Sequence, residues 1–157
     1  MEVRAAGRDD LIGIGRVADA AHWEAYSALL GPRVISALLR RDYSPAAVRR
    51  RLLSGGLLVA LDEGRLVGFA DASVEADHIR LNALATDPER RRARVAAHLL
   101  ESVRGLAADL PVSADVLLGC HPVEGYLEAQ GFVPGEVIES DLFGELTVER
   151  RWWLAPA

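Results

Sequence analysis

Residues 84–100 read Leu84-Ala85-Thr86-Asp87-Pro88-Glu89-Arg90-Arg91-Arg92-Ala93-Arg94-Val95-Ala96-Ala97-His98-Leu99-Leu100, and this stretch decides the architecture. Its first residues complete a run from His78 to Thr86. There Ile79, Leu81, Ala83 and Ala85 alternate with His78, Arg80, Asn82, Leu84 and Thr86, the period of a strand with one apolar face. Asp87-Pro88 ends it, since proline has no N–H to pair. From about Arg92 the period becomes helical. Val95, Leu99, Val103 and Leu106 form one stripe running to Asp109, and Leu110-Pro111 closes it. Arg90, Arg91, Arg92 and Arg94 gather at the positive end of that helix's dipole, a conflict that a bound anion relieves.

Upstream, Glu2 to Ala6 reads as a short strand, and Asp9 and Asp10 stand where a helix start favours carboxylates, ahead of Leu11, Ile14, Val17 and Ala18. His22 to Gly31 is weakly patterned and reads as a loop. Pro32 opens a second helix with Val34, Ile35, Leu38 and Leu39, and Ser44-Pro45 caps a third that Gly55-Gly56 ends. Leu57 to Leu61 and Leu66 to Ala72 flank Asp62-Glu63-Gly64-Arg65, the composition of a hairpin. Downstream come a strand at Asp115 to Leu118 and a helix at Val123 to Gln130 with Gly131 after its end. Strands near Phe132 to Ile138 and Thr147 to Leu154 follow. The order predicts one α+β domain over 1–157: a mixed, mostly antiparallel twisted sheet of about six to seven strands flanked by helices.

Composition narrows the function classes. With 157 residues, half of them hydrophobic, the chain builds its core without metal or disulfide, and its one cysteine, Cys120, has no partner. No uncharged apolar run approaches the roughly 18 residues of a membrane-spanning helix, so a cytoplasmic protein off the membrane is expected. The net charge of −5, and the lack of aromatic residues within either arginine cluster, do not match a nucleic-acid surface. Between Arg104 and Arg150 there is no Lys or Arg. If that acidic stretch borders a binding pocket, it favours a cationic ligand. Trp152 and Trp153, adjacent on a strand, face opposite sides, one toward the core and one toward a groove or a homodimer contact. Cys120-His121 lacks a second spaced pair of ligands, so no metal is expected.

The order of elements, together with residues 84–100, resembles the GNAT superfamily of acetyl-CoA-dependent N-acetyltransferases over nearly the whole chain. Val3 to Leu11 looks like that family's first strand and helix, and Leu66-Val67-Gly68-Phe69-Ala70 looks like its third strand. Gly125-Tyr126-Leu127-Glu128-Ala129-Gln130-Gly131-Phe132 is similar to the tail helix that ends in Gly-Phe. The resemblance implies the GNAT fold and a reaction in which an amine acceptor takes the acetyl group of acetyl-CoA by direct attack. The family's pyrophosphate motif falls on Arg91, Arg92, Ala93, Arg94, Val95 and Ala96, with Arg94 where glycine is expected. An arginine there trades close backbone approach for a guanidinium able to grip phosphate.

The resemblance further implies that the main-chain N–H near Leu84 polarises the acetyl carbonyl, with Ala85 and Thr86 pairing to the pantetheine arm. The family's leaving-group tyrosine and cofactor-contacting asparagine correspond to Leu127 and Cys120, and Tyr126 is the adjacent candidate acid. His121 is the first candidate base, alongside His78, Glu75, His22 and Glu24, because the strand glutamate that some members use corresponds to Arg80. Cys120 beside His121 as a nucleophilic pair is disfavoured, as neighbours on a strand point apart. The changes at Arg94, Cys120 and Leu127 leave a second reading, a non-catalytic module of the same fold. In that reading Arg94 or Trp153 fills the cofactor cleft.

Overall fold

The computed structural model describes the backbone of residues 1–157 and the side chains of all but residues 91–93. Seven strands form one sheet among the described residues: β1 (Glu2–Ala5), β2 (Leu57–Asp62), β3 (Arg65–Val74), β4 (Ile79–Thr86), β5 (Val112–Leu117), β6 (Val133–Leu142) and β7 (Glu145–Leu154). Their order is β1-β2-β3-β4-β5-β7-β6, and only β4 and β5 run parallel. The helices are α1 (Leu11–Tyr26), α2 (Pro32–Tyr43), α3 (Pro45–Ser54), α4 (Val95–Arg104) and α5 (His121–Ala129). The expected α+β class, sheet and strand count are all present.

The helix starts follow local chemistry. Pro32 and Pro45 occupy first helical positions, where a missing N–H costs nothing, and the Ser44 hydroxyl accepts the Ala47 N–H at 3.2 Å. Two boundaries differ from the expectation. His22 to Tyr26 belong to α1 rather than to a loop, because their aromatic rings pack inward. The long helix is shorter than Arg92 to Asp109: a 3₁₀ segment at Pro88–Ala93 and a left-handed Arg94 delay its start, and Gly105 ends it, leaving Leu106 42% exposed.

Both faces of the sheet are covered. On one, Val95, Leu99 and Val103 of α4 and Leu127 of α5 pack with Ile79, Leu81, Val112 and Trp152. On the other, Ile14 and Val17 of α1 and Val48 of α3 pack with Val59, Phe69 and Ala85. Helix α2 lays Val34, Ile35 and Leu38 toward Leu117 and Leu142, closing over the ends of β5 and β6. Gly68 lets α4 settle on the sheet, since a Cβ there would lie 2.6 Å from Val95 Cγ1 and 3.0 Å from the Ala85 carbonyl.

The alternation along β4 is not continuous. Asp71 pairs with Ala83 but Ala72 pairs with Leu81, so Asn82 is an extra residue and the strand bulges. The bulge reverses the facing of everything after it. Ile79 and Leu81 face α4 and α5, whereas Ala83 and Ala85 face α1 and α3, and Leu84 joins the α4 side. The single apolar face expected over Ile79, Leu81, Ala83 and Ala85 is thus corrected to two half-faces.

Asp10 ties β1 to α1. It accepts Arg4 Nη1 at 2.8 Å, Arg4 Nη2 at 3.1 Å and the Gly7 N–H at 2.7 Å. Burial alone would raise its carboxyl, but these donors outweigh burial and hold it below the ordinary 3.8.

Two outcomes test this packing. Gly68→Ala is expected to destabilise by about 1–3 kcal/mol in denaturant titration, because a methyl group must displace Val95 or the Ala85 carbonyl. Asp10 contributes stability that is present above its unfolded pKa and lost as pH falls through its lower folded value. Asp10→Asn should therefore be less stable at neutral pH and lose less on acidification below about pH 4 than the parent, as followed by thermal melts.

Candidate functional site

Strands β4 and β5 pair only at Ile79 with Val112, Arg80 with Ser113, and Leu81 with Ala114. Beyond that point β4 follows β3 as far as Thr86, and β5 follows β7 as far as Leu117. The two parallel strands therefore splay, opening a wedge in the sheet. The Asp87 N–H donates to the Val67 carbonyl at 2.8 Å, so residues in phase with it, Ala85 and Ala83, hydrogen-bond toward β3. Leu84 and Thr86 are out of phase, and their N–H and C=O groups point into the wedge. Among the described residues they have no strand partner there, which suits them to pair with an extended ligand. Ala85, expected to pair with the same ligand, is instead turned toward β3.

The wide end of the wedge is held by Asp87. Its buried carboxylate accepts Arg16 Nη1 at 3.1 Å and the Glu89 N–H at 3.1 Å, while Arg16 Nη2 reaches the Leu66 carbonyl at 2.6 Å. Helix α1 thus pins the turn into α4. Arg91, Arg92 and Ala93 lie outside the residues whose side chains are described. Arg94 has φ 54° and ψ 36°, the left-handed conformation that glycine adopts freely. Arg94 thus stands where the expected motif has glycine, in a conformation that a non-glycine residue adopts only at a cost. Val95 is fully buried and Ala96 half-buried, and the N–H groups of the first turn of α4 are free of intrahelical bonds, as at any helix start.

Helix α5 contributes Tyr126. Its ring packs on the same core cluster as Leu84, and its Oη is enclosed without a partner among the described residues. Burial raises its pKa, so it is a protonated donor at neutral pH. Leu127 is a core residue. Cys120 is buried at the start of α5 with Sγ 3.7 Å from the Ala25 carbonyl, and burial pushes its thiol up. The His121 side chain is 89% exposed, 3.4 Å from Glu124 Oε1. The cysteine and the histidine point apart, so they form no nucleophilic pair.

The other candidate bases are scattered. His78 stacks edge-on against Trp153 with centroids 5.6 Å apart and lies 2.7 Å from Asp77, at the paired end of β4 and β5. Glu75 and Glu24 are exposed. His22 is enclosed by Tyr26 and Tyr43, with Nδ1 2.8 Å from the Ala18 carbonyl, and burial lowers its pKa. Trp152 enters the core and Trp153 is half-buried, as expected. With Trp153 on His78 and the Arg94 side chain exposed, neither plays the wedge-filling part that the non-catalytic reading assigns them.

On the α1–α3 face, beside the bulge, lies a cleft of about 450 Å³ between α3, the end of α2 and strands β3 and β4. Asp71, Ser73 and Asn82 line the strand side, and Arg41, Asp42, Arg50 and Arg51 the helix side. Arg51 forms a part-buried ion pair with Asp71, donates to the Asp42 carbonyl at 3.0 Å and lies 4.5 Å from the centre of the Tyr43 ring. Burial raises the Asp71 carboxyl, with Arg51 offsetting part of the rise. Sequence reasoning missed this group. Its one signal is a carboxylate inside the apolar run Leu66 to Ala72. No residue of the acidic stretch lines this cleft.

The model of the acetyltransferase (GNAT) family matches residues 21–132. Among solved structures, the chain is similar to the PaiA N-acetyltransferase of Thermoplasma acidophilum in complex with coenzyme A. The two share 20% identity and a TM-score of 0.78, over 95% of this chain and 96% of that one. A GCN5-related N-acetyltransferase of Rhodopseudomonas palustris shares 18% identity at a TM-score of 0.82, over 98% of this chain and 94% of that one. A GNAT-family acetyltransferase of Bacillus cereus shares 18% identity at a TM-score of 0.72, over 99% and 97%. These likenesses show the fold. No curated protein matches the chain.

The left-handed Arg94 predicts an asymmetry between substitutions. Arg94→Gly should be neutral or stabilising by up to about 1 kcal/mol, whereas Arg94→Val should destabilise by about 1–2 kcal/mol, since a β-branched residue tolerates positive φ worst. Chemical denaturation of the two variants beside the parent checks this.

Proposed function

The chain belongs to the acetyltransferase (GNAT) family, and from that premise we propose that it transfers the acetyl group of acetyl-CoA to a primary amine by direct attack, with no acetylated enzyme intermediate. The observation that carries the proposal is the wedge beside β4, where Leu84 and Thr86 present main-chain groups with no strand partner among the described residues. The pantetheine amides pair along Leu84 and Thr86 as an added strand would. The first turn of α4 faces the pyrophosphate, where free N–H groups and the helix dipole favour an anion, with Arg94 beside it.

The chemistry then needs few side chains. The Leu84 N–H donates to the acetyl oxygen and is worth most when that oxygen becomes negative in the transition state. The amine nitrogen forms the new bond to the carbonyl carbon, the carbon–sulfur bond breaks, and the amine's proton leaves to water. Tyr126 Oη, kept protonated by burial, gives its proton to the departing sulfur and regains one from water, so the proton the amine released closes the cycle. A thiolate leaves readily near neutral pH, so this step assists the reaction without being indispensable to it. A cytoplasmic setting is proposed on the single cysteine, which calls for no oxidising compartment.

Calorimetry should give micromolar acetyl-CoA binding that Arg94→Glu weakens by about tenfold or more. Tyr126→Phe should lower kcat for thiol release by roughly 10–100-fold while moving KM for acetyl-CoA little. No binding to the parent at millimolar acetyl-CoA contradicts the proposal.

A further inference from the structure

We propose that the acceptor is a small amino carboxylate, seated in the cleft between α3 and the β3–β4 bulge with its carboxylate on Arg50 and its amine over Asn82 and Ser73. This rests on the acetyl-transfer reading and adds the substrate class to it.

The charges lining the cleft lead to that class. Arg51 is committed to Asp71 and to the Asp42 carbonyl, and Arg41 is committed to the Asp42 carboxylate at 2.9 and 3.1 Å. Arg50 also lines the cleft, yet among the described residues its side chain has no hydrogen bond or ion pair. Three arginines against two aspartates leave one positive charge unmatched, and it is this one. A planar guanidinium with free donors is suited to grip a carboxylate through two parallel bonds. One surplus charge matches a monoanion better than a phosphate dianion, and it repels a diamine.

The same count suits the reacting species. An amine attacks only when neutral, and the neutral-amine form of an amino carboxylate carries one negative charge, the complement of the cleft. The surrounding arginines also disfavour an ammonium group, easing loss of its proton where Arg80 stands in place of a strand carboxylate base. Position agrees as well. Asn82 is the bulge residue, its side chain donates to Ser73 Oγ at 2.8 Å, and it lies two residues before the Leu84 N–H at the wedge. A cleft of about 450 Å³ lies within the range of small-molecule sites and admits a free amino acid. In the reaction the amine nitrogen gains the acetyl carbon, the sulfur leaves as the free thiol, and the carboxylate is unchanged.

The test measures thiol release from acetyl-CoA with the common α-amino acids, β-alanine and γ-aminobutyrate. Each is compared with its own carboxamide and with a diamine, using the parent, Arg50→Gln and Arg50→Lys. The best amino carboxylate should exceed its carboxamide by at least about tenfold in kcat/KM. Arg50→Gln should bring the two to within about twofold, mainly through KM, and Arg50→Lys should retain part of the preference. The proposal is overturned if a carboxamide or the diamine is the better acceptor, or if the preference survives Arg50→Gln. It is equally overturned if no amino carboxylate on the order of 10 mM is acetylated by protein that binds acetyl-CoA. Failure to bind acetyl-CoA at all instead sinks the acetyl-transfer reading.

Discussion

Beyond Leu81, strand β4 keeps its hydrogen bonds to β3 and parts from β5, and the extra residue Asn82 stands at the point of parting. Much of the molecule is arranged around that constraint. A strand interior with unpaired amides is costly unless water or a ligand satisfies them, so an open wedge is retained only where the fold holds its two walls independently. Here β3 holds one wall and β7 the other. The same bulge turns Ala83 and Ala85 toward α1 and α3 while Leu84 turns toward α4, so both helical layers grip the strand just where it leaves β5. Gly68 completes the arrangement by letting α4 lie close against β3 and β4.

Charge is then distributed about the wedge by burial and pairing. At its wide end the Arg16–Asp87 pair fixes the turn that leads into α4, and Arg94 accepts an unfavourable φ to keep the shape of that turn. On the opposite face of the sheet Arg51 and Asp71 neutralise one another, so the net character of the cleft falls to Arg50. A part-buried ion pair adds little net stability against an apolar alternative, and its value here is positional: it fixes Arg51 and Asp71 against one another along the lining of the cleft.

Most of the fold was legible in the sequence because its signals are local. Asp62-Glu63-Gly64-Arg65 reads as the hairpin it forms, the prolines at 32 and 45 mark helix starts, and Val95, Leu99 and Val103 mark the buried face of α4. The bulge was not legible, since the letters of β4 alternate without a break and only pairing with β3 reveals the extra residue. For the same reason the sequence did not distinguish Leu84, whose main-chain groups face away from β3, from Ala85, whose groups face it. The end of α4 was overestimated because Leu106 continues the stripe in sequence after Gly105 has ended the helix. His121 was a natural candidate base by residue type, but its exposure depends on how α5 is seated. Asp71 and Arg51 were hidden because each looks ordinary alone and only the fold brings them together.

The central claim is that the main-chain groups of Leu84 and Thr86 are the ligand-pairing edge of β4. Titrating acetyl-CoA into ¹⁵N-labelled protein and following the backbone amides reads this directly. The claim predicts the largest shifts in the strand at Leu84 and Thr86, with Ala83 and Ala85, bonded to β3, moving less. Shifts absent from 84–86, or largest at Ala83 and Ala85, would contradict it.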